Sequence, residues 1–467
     1  MSDTLAAAPH AHDLVVRDKF TGDEIATVSQ LTVEQALDAI ADAQRATVTA
    51  AALPRHKRAA ILEGAAALLK ERSESVADLI VTEAGKTIRQ ARKEVCRAIN
   101  TLRLSAAEAL RNAGEVIPFD SFPGGENRQG WYTREPLGLI VAITPYNDAL
   151  NLVAHKIGPA IAGGNAVLLK PAQQTPLTAQ LLVDLLVEAG LPEEVITVVR
   201  GNRYVAQALV QAWNVRMVSF TGGFATGRAI AATAGIKKLA MELGGNAPVL
   251  VFEDADLDLA VKASVSGSFW AAGQNCIGAQ RILVHRSVFL AFLKSFVAAT
   301  EKLLTGDPRL EATDVGPMIS AQAAEGARAK IQEAVAFGAA LLTGGELKGS
   351  LLTPAVLTGV PRTCTLWEEE VFAPIVIVEP FDDEESAVIA ANDGEYALQA
   401  GIFTNDLNRA LRVAGAIDAG GVMINDSSDY RLDAMPFGGS KYGSMGREGV
   451  RFAYEEMTQT KVVAVAR

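Results

Sequence analysis

A single thiol, Cys276, stands among small and flexible residues in Ala271-Ala272-Gly273-Gln274-Asn275-Cys276-Ile277-Gly278. Only a thiolate attacks carbonyl carbon well, and a glycine-flanked loop gives access, so Cys276 is a candidate nucleophile. Glu242 lies 34 residues earlier, on the glycine-rich turn Met241-Glu242-Leu243-Gly244-Gly245-Asn246, and suits a base that activates water. A third glycine-rich stretch is Phe220-Thr221-Gly222-Gly223-Phe224-Ala225-Thr226-Gly227, followed by helix formers. It lets a helix N-terminus approach a diphosphate, although an ordinary strand-to-helix turn reads the same way. Gly-x-Gly-x-x-Gly is missing: Arg200-Gly201-Asn202-Arg203-Tyr204-Val205 matches it poorly, which disfavours a conventional Rossmann dehydrogenase.

These residues need a scaffold, and the chain supplies one. Residues Thr32 to Leu110 are rich in alanine, leucine, glutamate and arginine, and read as a run of helices. Between Gly114 and Gly130 the prolines and glycines predict a turn or hairpin leaving the main body. From Leu139 short apolar runs alternate with helical patterns: Leu139–Ile143, Ala166–Lys170, Val195–Val199, Met217–Phe220 and Val249–Phe252. A helix with Thr175 as its cap, Pro176 in its first turn and Gly190 and Pro192 as stop signals lies between the second and third. Buried strands separated by amphipathic helices imply an α/β fold with a doubly wound parallel sheet, which binds nucleotides at the carboxyl ends of its strands. A second α/β stretch runs from about Gly244 to Gly420, with helices at Val288–Leu304 and Ala321–Phe337 and strands at Arg281–His285 and Ile375–Val378. Val462–Ala466 is a short terminal strand.

With 467 residues the chain has room for two or more domains. A net charge of −11 argues against nucleic acid as a partner. No apolar run approaches the ~18 residues that span a bilayer, and the N-terminus has no signal pattern, so a cytoplasmic location is expected. Three widely spaced cysteines, Cys96, Cys276 and Cys364, argue against a disulfide framework. Cys96 and Cys364 read as buried or incidental thiols, His10 and His12 as a solvated terminus rather than a metal site, and His155 as a satisfied helix histidine. No metal is expected.

The order of motifs carries more than any one of them. Glu135-Pro136-Leu137-Gly138, Ile143-Thr144-Pro145-Tyr146-Asn147, Lys156-Ile157-Gly158-Pro159-Ala160, Gly163-Gly164-Asn165 and Leu169-Lys170-Pro171-Ala172 come first. Phe220-Thr221-Gly222, Glu242-Leu243-Gly244-Gly245, Gly273-Gln274-Asn275-Cys276, Glu369-Glu370-Val371-Phe372 and Pro436-Phe437-Gly438-Gly439 follow. From about Leu14 to Val463 this series resembles the aldehyde dehydrogenase superfamily. The resemblance implies NAD(P)-dependent oxidation of an aldehyde to its acid. Cys276 would form a thiohemiacetal and then a thioester, Asn147 with the Cys276 N–H would hold the oxyanion, and Glu242 would activate the hydrolytic water. It also implies a cofactor site of Thr144, Pro145, Tyr146, Lys170, Gln173, Gly222, Gly223, Gly227, Leu243, Glu370 and Phe372. In it Lys170 would reach the adenosine ribose, and Glu370 and Phe372 would hold the nicotinamide riboside.

Departures from the family pattern bear on specificity. Gln173 stands where many NAD-specific members carry glutamate, so NAD and NADP both remain open. Gly223 replaces serine, Ala373 replaces glycine, and Lys441 to Glu448 swaps the usual Ser-Gly order. Asn425-Asp426 with Arg431-Leu432-Asp433 and Met435-Pro436 is similar to lactaldehyde, phosphonoacetaldehyde and non-phosphorylating glyceraldehyde-3-phosphate dehydrogenases. Anion-binding arginines of those relatives match Arg103 and Arg431, which either bind substrate or form ion pairs. Two other anion-binding positions carry Asn275 and Asp148 instead. Asp148 either pairs with Arg103 or Arg431 or accepts a hydroxyl or ammonium of the substrate. The expected substrate is a small polar aldehyde carrying an acid together with a hydroxyl or amino group.

The implied architecture is a dinucleotide-binding domain over 1–115 and 137–243 with a return at 421–449, a catalytic domain over 244–420, and bridging segments 116–136 and 450–467. The bridge implies a homodimer or homotetramer. Two rivals stand beside this reading: a CoA-acylating semialdehyde dehydrogenase, against which Glu242 argues, and a non-catalytic protein that keeps the fold.

Overall fold

The computed structural model describes residues 13–111 and 114–467; His10 and His12 lie outside them. Two large sheets organise the chain. The first has six strands in the spatial order Ser444–Met445, Lys238–Glu242, Val215–Thr221, Leu139–Ile143, Ala166–Lys170 and Ile196–Val198. Its four pairings among the other five strands are parallel, and only Ser444–Met445 runs antiparallel, with Ser444 opposite Glu242. The chain order reverses between Leu139–Ile143 and Val215–Thr221, which makes the carboxyl ends of those two strands a topological switch point. All five residues of Leu139–Ile143 and of Ala166–Lys170 are buried, as a strand covered on both faces requires.

The second sheet has seven strands in the order Ala340–Thr343, Ala355–Thr358, Ile375–Phe381, Ala279–His285, Ala247–Val251, Gln399–Phe403 and Gly421–Ile424. Here the sequence reading is corrected twice. The apolar run at Val249–Phe252 belongs to this sheet, and the fifth strand of the first sheet is Lys238–Glu242, whose outer residues are half-buried or exposed. The chain also does not leave this sheet at 421, because Gly421–Ile424 pairs in parallel with Gln399–Phe403. The return to the first sheet comes later, at Ser444–Met445.

The hairpin expected near 114–130 is present as Gly114–Val116 and Arg128–Pro136, and the terminal strand Thr458–Ala466 pairs along the whole of the latter. The helix Pro176–Glu188 starts where expected, but the Thr175 side chain does not cap it. The Glu83 carboxylate does so from a neighbouring helix, accepting the N–H groups of Leu177 and Thr178 at 2.5 and 2.8 Å. Among the described residues no helix is long and apolar enough to cross a membrane, and no group of three or more ligating side chains could hold a metal ion.

Candidate active site

The loop that carries Cys276 links the helix Leu257–Phe269 to the strand Ala279–His285. It opens with three successive left-handed residues, Ala271, Ala272 and Gly273, at φ +50°, +54° and +67°. Left-handed alanines cost about 1–2 kcal/mol each, so the surrounding contacts must hold them. Buried Gln274 does this from both ends of its amide: Nε2 donates to the Ala271 carbonyl at 3.2 Å, and Oε1 accepts the Ile319 N–H at 2.9 Å. Gly273 has no alternative, since a Cβ there would lie 2.0 Å from the Ala373 carbonyl oxygen. Asn275 turns the chain back by accepting the Ile277 N–H at 3.3 Å.

Glu242 ends its strand, and the Gly244-Gly245 turn then passes under the Cys276 loop. A Cβ on Gly245 would stand 2.1 Å from the Cys276 carbonyl oxygen, and one on Gly244 would stand 2.6 Å from Glu370 Oε2. The Gly245 N–H donates to Glu370 Oε1 at 3.0 Å. Two glycines therefore let the Glu242 turn, the Cys276 loop and Glu370 meet at one point.

Charge in this compact site is perturbed in a consistent direction. Burial, then the Glu370 carboxylate, pushes the Cys276 thiol up. Burial, then Glu448, raises the Glu242 carboxyl well above the usual range. Among the described residues Glu242 Oε2 is buried without a hydrogen-bond partner. Burial also brings Glu370 up to about 7, against the pull of the Gly245 N–H. Loss of water thus disfavours the charged form of all three groups, Cys276, Glu242 and Glu370.

A cavity of about 560 Å³ opens on Cys276 and is lined also by Asn147, Asp148, Asn275 and Arg431. Asn147 is brought here by the loop after Leu139–Ile143, at the switch point. Four cationic and five anionic side chains line the cavity: Lys86, Lys93, Arg97 and Arg431 against Glu94, Asp148, Asp426, Asp429 and Asp433. Most of them are already matched. Arg97 bonds Asp148 at 3.1 Å and Asp433 at 2.9 Å, and Lys86 bonds both Glu94, at 2.7 Å, and Asp148. Arg431 bonds Glu448 at 3.0 Å and stacks 3.7 Å from the centroid of Phe437. His155 is half satisfied, against the sequence expectation: Nε2 lies 2.9 Å from Asp433 Oδ1, whereas the buried Nδ1 has no hydrogen-bond partner among the described residues.

Arg103 is not part of this cavity. Its side chain is 49% exposed and its carboxylate neighbour is Glu63, at 3.9 Å. The helix Ile88–Leu110 presents Lys93, Arg97 and Asn100 to the cavity, and Arg103 is a further turn and a half along on another face. Arg97 is the cavity arginine that sequence reasoning missed. Its place three and four residues from Asn100 and Lys93 was the available signal. Asp148 correspondingly pairs with Lys86 and Arg97, not with Arg103 or Arg431. Cys96, read as incidental, also borders the cavity and is exposed, whereas Cys364 is buried elsewhere.

On the other side of Cys276 the structure fits a dinucleotide. Gly223 is the N-cap of the helix Phe224–Thr233, and the space where its Cβ would stand is open. That helix terminus faces out at the switch point, as diphosphate binding requires. Lys170 ends its strand buried, which pulls its ammonium down to about 8, and it has no carboxylate partner among the described residues. Gln173 is exposed and donates to Gln30 at 3.2 Å. Tyr146 meets Phe372 edge to face, with ring centroids 5.9 Å apart, and Phe372 is held at φ +50°.

The model of the aldehyde dehydrogenase family matches residues 7–463. The chain belongs to that family. An aldehyde dehydrogenase named aspartate-semialdehyde dehydrogenase 1, from Pseudomonas canavaninivorans, is 56% identical over 461 residues, covering 99% of this chain and 98% of that one. Among solved aldehyde dehydrogenases, aldehyde dehydrogenase 21 of Physcomitrella patens, in complex with the reaction product succinate, is 40% identical with a TM-score of 0.95, covering 98% of this chain and 96% of that one. The glyceraldehyde-3-phosphate dehydrogenase of Methanocaldococcus jannaschii complexed with NADP is also 40% identical, with a TM-score of 0.94, covering 97% and 99%. The protein is thus an NAD(P)-dependent aldehyde dehydrogenase with that family's α/β fold.

Proposed function

We propose that this aldehyde dehydrogenase oxidises a short aldehyde bearing both a carboxylate and an ammonium, with aspartate 4-semialdehyde as the leading case and aspartate as its product. The observation that carries the reading is the near balance of charge around Cys276. A phosphate site needs surplus cations, but here Arg97, Lys86 and Arg431 are each countered by carboxylates. A substrate of mixed charge suits such a lining, and the 56% identical relative bears the name of an enzyme for that class. Arg97 would take the substrate carboxylate with its fork, sharing it with Asp148 and Asp433.

Cys276 Sγ adds to the aldehyde carbon as the thiolate, its proton having gone to solvent. The oxyanion is held by the Asn147 amide and the Cys276 N–H, donors worth about 3–4 kcal/mol each in such sites. Lys170, Gln173, Glu370 and the helix beginning after Gly223 would hold NAD(P)+, which when bound would accept the hydride. The carbon is left as a Cys276 thioester. Glu242, as its carboxylate, takes a proton from water as that water attacks the thioester, the acid leaves with the Sγ thiolate restored, and Glu242 then gives its proton to solvent. Hydrolysis by a dedicated base is why acyl transfer to CoA is disfavoured. A neutral Gln173 places no negative charge against a 2′-phosphate, so NADP is accepted alongside NAD. The paired strands Arg128–Pro136 and Thr458–Ala466 would join subunits into a homodimer or homotetramer in the cytoplasm.

Steady-state kinetics on aspartate 4-semialdehyde, succinic semialdehyde, lactaldehyde and benzaldehyde test the reading. The highest kcat/KM is expected for aspartate 4-semialdehyde. Equal or faster turnover of succinic semialdehyde, which differs only in lacking the ammonium, overturns it.

A further inference from the structure

We infer that Asp429 is the specificity residue that recognises a cationic group on the aldehyde, an ammonium in the substrate class proposed above. The inference rests on that class and assigns to one carboxylate the part of the substrate that Arg97 cannot bind.

The assignment follows from what the other cavity carboxylates already do. Glu94 accepts the N–H groups of Leu150 and Asn151, at 2.7 and 3.1 Å, as well as the Lys86 ammonium. Asp148 holds Lys86 and Arg97. Asp433 holds Arg97, His155 and, at 3.2 Å, the Asn151 amide. Asp426 accepts the Ser427 N–H at 2.8 Å, and its backbone bridges to Ile402. Among the described residues, no cationic nitrogen lies within 4.0 Å of the Asp429 carboxylate. Lys93, whose charge lowers the Asp429 carboxyl slightly, lies 4.6 Å over the Trp270 ring.

Asp429 is also built into place. Asn425, at φ +56°, starts its loop, and the Asn425 side chain accepts the Thr404 N–H at 3.1 Å. The loop then seats on the helix Leu257–Phe269 where only a glycine leaves room. A Cβ on Gly267 would stand 2.0 Å from Ser427 Oγ and 3.0 Å from Asp429 Oδ1. Burial pushes the Asp429 carboxyl up, the Ser427 hydroxyl lowers it, and Asp426 raises it further. An arriving ammonium removes that penalty, and a neutral or purely anionic aldehyde does not.

The test compares kcat/KM for two pairs of aldehydes, with and without an ammonium, in the wild-type enzyme, Asp429→Asn and Asp429→Glu. The pairs are aspartate 4-semialdehyde with succinic semialdehyde, and 3-aminopropanal with propanal. Loss of a charge-assisted bond should lower the ammonium preference roughly 10- to 100-fold in Asp429→Asn, and Asp429→Glu should keep most of it. Asp429→Ser serves in place of the asparagine variant if that protein does not fold. A wild-type enzyme without ammonium preference in either pair overturns both the substrate reading and this assignment. A wild-type preference that survives in Asp429→Asn overturns the assignment alone.

Discussion

Replacing Gly245 by alanine should separate the nucleophile from its base without altering either. The new Cβ would stand 2.1 Å from the Cys276 carbonyl oxygen, about 1 Å inside the closest approach that real Cβ atoms make. Both sides of the contact are backbone, so no side chain can swing away to relieve it. One side also carries the N–H that holds Glu370 at 3.0 Å, which limits the turn's retreat. The Cys276 loop must therefore shift by most of an ångström relative to Asn147 and Glu242. A misplacement of that size costs roughly 100-fold in rate, or about 2.7 kcal/mol of barrier. Pre-steady-state stopped-flow measurement of the NAD(P)H burst, with aldehyde in excess, reads the step directly, and circular dichroism reports the fold. Gly326→Ala is the control. It lies within the helix Ala321–Ala336 with open space around its Cβ, so it should leave the rate alone and add about 0.5–1 kcal/mol of stability. A folded Gly245→Ala enzyme reacting within about threefold of wild type would refute the close-packing argument.

Glu242→Gln should release roughly one equivalent of NAD(P)H in a burst and then turn over at least about 100-fold more slowly, because the thioester waits for water; steady turnover without a burst speaks against a hydrolytic base. Gln173→Glu should lower kcat/KM for NADP roughly tenfold or more relative to NAD, since a carboxylate would face the 2′-phosphate; an unchanged ratio removes Gln173 from the cofactor argument. Asp433 and Glu448 carboxyls are held below the usual range against burial, by His155 and Arg97 and by Lys156 and Arg431 respectively. Their stabilisation is thus fully present above about pH 4.3 and is lost as pH falls below it, because the unfolded chain then binds more protons. Urea midpoints measured from pH 6 to 3 should fall accordingly, and less steeply in Asp433→Asn; identical slopes would show that Asp433 is not a source of the acid sensitivity.

The strands Leu139–Ile143 and Ala166–Lys170 were legible to the residue because each is a continuous apolar run buried on both faces. Lys238–Glu242 was not, since its exposed lysine and half-buried middle give no such run. It is a strand because Val215–Thr221 lies on one side of it and Ser444–Met445 on the other. The motif order located Cys276, Glu242 and Asn147, and the cavity brings Cys276 and Asn147 to one surface. It did not choose between Arg97 and Arg103, six residues apart on one helix, because that choice depends on helix rotation fixed by distant packing. Nor could sequence show that Asp148 finds Lys86, 62 residues earlier.

The late pairing of Ser444 with Glu242 sets a timetable for synthesis. When the ribosome has finished the strand that ends in Glu242, the segment that will close its open edge is still about 200 residues away. At 5–20 residues per second that interval is roughly 10–40 s. During it the unfinished sheet presents unpaired N–H and C=O groups, a template for wrong partners. The nascent chain therefore cannot complete its catalytic centre until it is almost wholly made, and an enzyme that handles reactive aldehydes starts work only as a finished molecule.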